Sequence, residues 1–183
     1  MILADRIELC ARRALDDRPS ADKARRWYVD ARLFCAELAR SYDNVSTRTV
    51  AGVIAALSPM QVWDDQLVWA PRILQAWKIG QPIPGPGFIS NKVKAKRILG
   101  GEHPHDVLRG DKVRAFYACI LGDHEAVCID RHAQAVAWGP GPPRLTAKRY
   151  RDTVRAYREV GARLDIPPAE LQALCWCWHR ENR

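Results

Sequence analysis

Two residues able to do chemistry, Lys112 and Asp130, stand eighteen positions apart, each placed where a helix should begin. The first lies in Val107-Leu108-Arg109-Gly110-Asp111-Lys112-Val113-Arg114-Ala115-Phe116-Tyr117, the second in Ala126-Val127-Cys128-Ile129-Asp130-Arg131-His132-Ala133-Gln134. A loop ending on Gly110 lets the backbone approach a ligand closely. It also leaves the first N–H groups of the next helix pointing outward, which suits an anion. Lys112 falls in that first turn. A helix of about 10 residues runs about 15 Å, and Gly122 to Ile129, if extended, returns about 20 Å. This predicts Asp130 back beside Lys112, so that two helix N-termini, an amine and a carboxylate share one side of the molecule. Taken singly, the residues have plainer roles. Asp130 would cap a helix, Lys112, Arg131 and His132 would be solvated, and Cys128 and Ile129 would sit in the core.

The elements that must position this pair read as helix almost throughout. Ile2, Leu3, Ile7, Cys10, Ala11 and Leu15 form a stripe at helical spacing over 2–15. A second helix starts at Ser20 or Asp22 and puts Trp27, Ala31, Phe34, Cys35 and Leu38 on one side. Ser46 or Thr47 caps a nearly all-apolar helix, Val50 to Leu57, expected at the centre of the core. Pro59 breaks the chain, and a helical stretch over 60–78 contains Pro71, which predicts a kink or a split. The run Gly80 to Gly87 is a loop where two helical halves meet, and Ser90-Asn91 opens a basic helix through Leu99. Helices near 111–121 and 130–138 follow, then Gly139 to Pro143 as a breaker, a helix from Thr146, and a last one from Pro167-Pro168. Period-2 strand patterns are absent. The expected class is all-α, one compact multi-helix domain over 1–183 of about nine or ten helices.

Composition narrows the function classes. In 183 residues, 48% are hydrophobic and 27% charged, enough apolar content to bury a core and too much for a disordered chain. No stretch approaches the length of a membrane span. Charges near the N-terminus interrupt any signal-peptide core, so a cytoplasmic location is expected (a host cytoplasm if the gene is phage-borne). With 29 Lys and Arg against 21 Asp and Glu, the net charge is +8, which suits a polyanionic partner. The six cysteines offer one close pair, Cys175-x-Cys177, too few for a zinc or iron–sulfur site. Reduced core thiols and no metal or cofactor are therefore expected.

Three segments, in order, resemble the helix–hairpin–helix DNA glycosylase superfamily of the endonuclease III type. Val53-Ile54-Ala55-Ala56-Leu57-Ser58-Pro59-Met60-Gln61 is similar to its apolar helix ending in Leu-Ser-Ala-Gln. Asn91-Lys92-Val93-Lys94-Ala95-Lys96-Arg97-Ile98-Leu99 is similar to its helix before the hairpin. Gly110 and Lys112, then Cys128-Ile129-Asp130-Arg131-His132 eighteen residues on, match its hairpin, lysine and Asp-x-His element. The resemblance spans residues 50–138, and more narrowly the chain looks like a bacteriophage group of such proteins. It departs from the family in three places. Leu108 replaces the hairpin's first glycine, Gln61 is displaced by one position, and the four-cysteine iron–sulfur loop is missing.

The resemblance implies a monomer that binds double-stranded DNA, turns one base out of the stack, and uses Lys112 and Asp130 as catalytic residues. Lys112 would attack the deoxyribose C1′ as a neutral amine, which burial or neighbouring Arg109 and Arg114 would favour. Asp130 would stabilise the cationic sugar or accept a proton. Arg109, Gly110, Arg114, Arg131, His132, Lys92, Lys94, Lys96 and Arg97 would hold the nucleic acid. Gln61, Trp63 and Tyr117 would face the displaced base. Two further readings share the fold: hypermodification of an activated thymine-type base by pyrophosphate displacement, and DNA binding without catalysis. A helical scaffold that binds no nucleic acid is the fourth. Farther on, Arg151, Arg155 and Arg158 share one face of a basic helix that would extend a DNA-binding surface or simply be solvated.

Overall fold

The computed structural model describes residues 2–182, and among them the secondary structure is helical, without strands. The helices are α1 (Leu3–Asp16), α2 (Arg18–Arg25), α3 (Trp27–Arg40), α4 (Thr47–Leu57), α5 (Trp63–Lys78), α6 (Ile89–Leu99), α7 (Pro104–Val107), α8 (Asp111–Ile120), α9 (Arg131–Trp138), α10 (Ala147–Leu164) and α11 (Pro168–Glu181). The all-α expectation holds.

Three details differ from the periodicity. The expected 20–38 helix is two, because the chain breaks at Arg26, whose N–H closes α2 on the carbonyls of Asp22 and Ala24. The 60–78 stretch is a single helix that contains Pro71 and does not split. Its start is delayed to Trp63 by the turn after Pro59, where Met60 adopts a positive φ of 66°. Helix α7 is too short for periodicity to signal, at four residues.

The chain divides into two compact units, residues 1–30 with 122–183 and residues 31–121. The 80–88 loop therefore lies inside the second unit rather than at a meeting of halves, and Asp130 and Lys112 belong to different units. In the first unit, α1, α9, α10 and α11 share an apolar core whose largest buried members include Ile7, Ile129, Tyr157, Leu171 and Leu174. In the second, α4 is the centre: Val50 to Leu57 are all buried, as expected of a helix apolar on every side. Ser46 caps it, its hydroxyl accepting from the Thr49 N–H at 3.1 Å. Gly52 brings α4 against α7 so closely that a Cβ there would lie 2.7 Å from Pro104 Cγ. That approach seats the short helix leading into Gly110.

Candidate functional site

In the first unit the extended stretch before Asp130 is pinned from α10 and α11. The Tyr150 hydroxyl donates to the Val127 carbonyl at 3.0 Å and accepts from the Ile129 N–H at 3.5 Å. The Arg158 guanidinium donates to the Glu125 carbonyl, and the Ala169 N–H donates to the His124 carbonyl. These bonds satisfy backbone groups that a buried, unladdered segment would otherwise leave open. With Val127, Cys128 and Ile129 buried behind it, Asp130 emerges half-buried as the N-cap of α9.

Its two oxygens do different work. Oδ1 accepts from the His132 and Ala133 N–H groups, both at 2.9 Å, and Oδ2 accepts from the Trp176 indole at 2.8 Å. The plain role of Asp130, a helix cap, is thus real. A carboxylate offers about four acceptor positions, so little is left for a proton in transit. Around it the rings interlock. His132 meets Trp176 and His179 edge-on, His132 Nδ1 lies 3.4 Å from His179 Nδ1, and Arg180 stacks on Trp176. His132 is 6% exposed and accepts from Arg131 Nε through its own Nε2. The expectation that His132 contacts nucleic acid is corrected, because its ring packs inside this cluster; Arg131 is exposed.

In the second unit the turn between α7 and α8 is Leu108-Arg109-Gly110. Leu108, where the resemblance would have a glycine, points wholly into the core. Its carbonyl accepts from Arg109 at 3.2 Å and from Arg114 Nε at 3.0 Å. Gly110 precedes α8 with φ 84° and ψ 138°, a conformation that side chains resist, and nothing lies within 4 Å of where a Cβ would be. Lys112 is half-buried in the first turn of α8. The structure therefore gathers Arg109, Gly110 and Arg114 on one turn.

The remaining sequence candidates are more scattered. On α6, Lys94 donates to Asn91, Arg97 forms a two-bond pair with Glu102, Lys92 is half-buried and Lys96 is exposed. The Arg97–Glu102 pair holds the guanidinium above and the carboxyl below their ordinary ionisation ranges.

Two of the three base-pocket candidates are corrected, and the third packs within its own unit. Tyr117 is 8% exposed, and burial pushes its hydroxyl up while the nearby Arg48 opposes the shift. Its ring is packing, not a base platform. Gln61 lines a cavity of about 10 Å³ with Leu57, Asp65 and Trp69, room for one water rather than a base. Trp63 meets Phe34 edge-on at 6.2 Å.

One residue that sequence pattern does not single out bears on the site. Tyr150 positions the segment before Asp130, as described. Met60 is 84% exposed at positive φ, an apolar side chain held out from the α4–α5 turn. Among the described residues, no group of three or more His, Cys, Asp or Glu could hold a metal ion. Five of the six thiols are buried and Cys177 is half-buried. Among the described residues, no helix is long and apolar enough to cross a membrane. The model of DUF7178, a family of unknown function, matches residues 5–183. No curated protein and no solved structure matches the chain.

Proposed function

Because the chain belongs to DUF7178, a family of unknown function, we propose its activity from the site itself. It binds DNA through the α7–α8 turn and acts on a base turned out of the stack, or on that base's sugar. The observation that carries this reading is the turn: two guanidinium groups on the Leu108 carbonyl, a positive-φ Gly110, and Lys112 in the turn that follows. Backbone N–H groups at an open helix start, flanked by arginines, match a phosphodiester in charge and in donor geometry. The net charge of +8 favours the same partner.

Lys112 supplies the amine that bonds to C1′ as the glycosidic bond breaks, the departing base leaving with a proton. Asp130, with its oxygens already accepting from three N–H groups, serves its own unit as the cap of α9. Met60 fills the gap left in the stack, as apolar wedges do.

Borohydride trapping on duplexes carrying an abasic site or a modified base tests this. A covalent adduct is expected with the native chain and lost in Lys112→Ala. One observation, that Asp130 already accepts from two cap N–H groups and an indole, favours a second reading in which the chain binds DNA without chemistry. That reading predicts salt-sensitive binding, falling by orders of magnitude between about 50 and 200 mM salt, with no adduct and no released base.

A further inference from the structure

The first unit carries a groove away from the groups described above, of about 270 Å³, between α1, the end of α9 and α11. Its cationic side is Arg6 and Arg13, seven residues apart and so on one face of α1. Its flat apolar side includes Leu9, Pro140 and Trp178, and His179 lines it too. Among the described residues, no aspartate or glutamate lines it.

The arginines of α1 are sorted. Arg12 is paired with Glu8, and Arg163 reaches the same glutamate. Among the described residues, neither the Arg6 nor the Arg13 guanidinium has a hydrogen-bond or ion-pair partner. The Arg6 guanidinium lies against the bare backbone of Gly139, at φ 90°, where a Cβ would be 2.7 Å from Nη1. Gly139 therefore leaves room for an unpaired, half-buried cation at the groove wall.

Two unpaired guanidinium groups recognise a phosphate, which accepts planar, paired N–H donors. The Trp178 and Pro140 side recognises a flat ring. The volume falls just under the range of small-molecule clefts, about 300–1,000 Å³, and suits one ring joined to one phosphate rather than a folded partner. We propose that this groove binds a nucleotide unit, its phosphate between Arg6 and Arg13 and its base against Trp178. The source is either a free nucleoside monophosphate or one residue of a single strand. The proposal does not depend on the α7–α8 turn or on Lys112.

Calorimetric titration of the full chain with dAMP, deoxyadenosine and inorganic phosphate tests it. dAMP should bind measurably, and each fragment about tenfold or more weakly, since each keeps only one side of the groove. Arg13→Gln, at an exposed position that leaves folding intact, should weaken dAMP about tenfold, the worth of a charge-assisted pair. Arg6→Gln should do the same, with circular dichroism to show the fold retained. Octadeoxyadenylate without a terminal phosphate separates the sources: tight, competing binding assigns the groove to a strand, and binding of dAMP alone assigns it to free nucleotide. Absence of dAMP binding at millimolar concentration, or equal affinity in Arg13→Gln, overturns the proposal. Lys112→Ala should bind dAMP normally, so failure of the trapping experiment and failure here are distinguishable.

Discussion

Asp130 and the Gly110–Lys112 turn are built on opposite plans. The carboxylate is a closed arrangement: two backbone N–H groups and an indole hold its oxygens, and Tyr150 fixes the strand-like segment behind it. The turn is an open one. A fully buried Leu108 anchors it, while its exposed groups are two arginines and a glycine with empty space over its α-carbon. Closed polar networks give stability and fixed charge, since every donor has its acceptor. Open helix starts contribute little to stability and leave their N–H groups for a ligand. A protein that needs one fixed negative charge and one adaptable anion-binding edge is served by having both. The contrast makes separate predictions for folding and for binding.

The largest effect on folding belongs to Asp130→Ala, which should cost about 2–4 kcal/mol in urea unfolding, from a missing cap and a stranded indole N–H. Asp130→Asn keeps an acceptor for the cap but turns an amide N–H₂ toward Trp176, so its loss should be nearer 1 kcal/mol. If the two variants unfold alike, the network is not the closed one described. Gly110→Ala comes next. The methyl meets nothing, so the penalty is backbone strain alone, about 1–3 kcal/mol. Its larger consequence should be on DNA, with affinity in a gel-shift titration falling well beyond what the stability change explains. A variant that is destabilised yet binds DNA as well as the native chain would detach the turn from recognition.

Alkaline pH probes both units together. Burial pushes the Cys35 thiol, in the second unit, up to about 12 and the Cys177 thiol, in the first, up to about 11, from 9.0 when unfolded. Folded thiols thus keep protons that unfolded ones release. Their contribution to stability is complete below pH 9.0, shrinks as the pH rises from there, and is lost by about 11 for Cys177 and about 12 for Cys35. Melting temperature should fall over that window, and less steeply in Cys35→Ala corrected for its packing loss. A flat profile from pH 8 to 11 would mean the thiols are not sequestered.

How much of this could be read from the chain depends on the range of each interaction. The central helix around Val50–Leu57, its Ser46 cap, Thr146 as the cap of α10 and Asp130 as the cap of α9 are local, and residue types at helical spacing carry them. The break at Arg26 was not legible, because apolar residues continue in phase on both sides of it. Helix α7, at four residues, is too short to show a repeat of the helical period. The partners that define the sites are tertiary: Trp176 reaches Asp130 from 46 residues away, and Arg6 finds Gly139 from the far end of the unit. Leu108 shows the same limit from the other side. Its type signalled a missing glycine, yet burial of its side chain leaves its carbonyl free to organise the turn, a division between side chain and backbone that sequence does not display.

That division supplies the finest test of the contrast. Arg109→Ala and Arg114→Ala each remove one of two donors from the carbonyl of a buried residue that keeps the other, so each should change unfolding free energy by about 1 kcal/mol. On DNA the two should act through charge. The slope of log affinity against log salt should shrink by about 1 for each phosphate that is no longer neutralised, and the double variant by about twice that. If either arginine serves only to brace the Leu108 carbonyl, its removal will loosen the turn and lower affinity with the salt slope unchanged. A slope that drops for Arg109 and not for Arg114 would make the first the phosphate ligand and the second, bound through Nε at 3.0 Å, the brace.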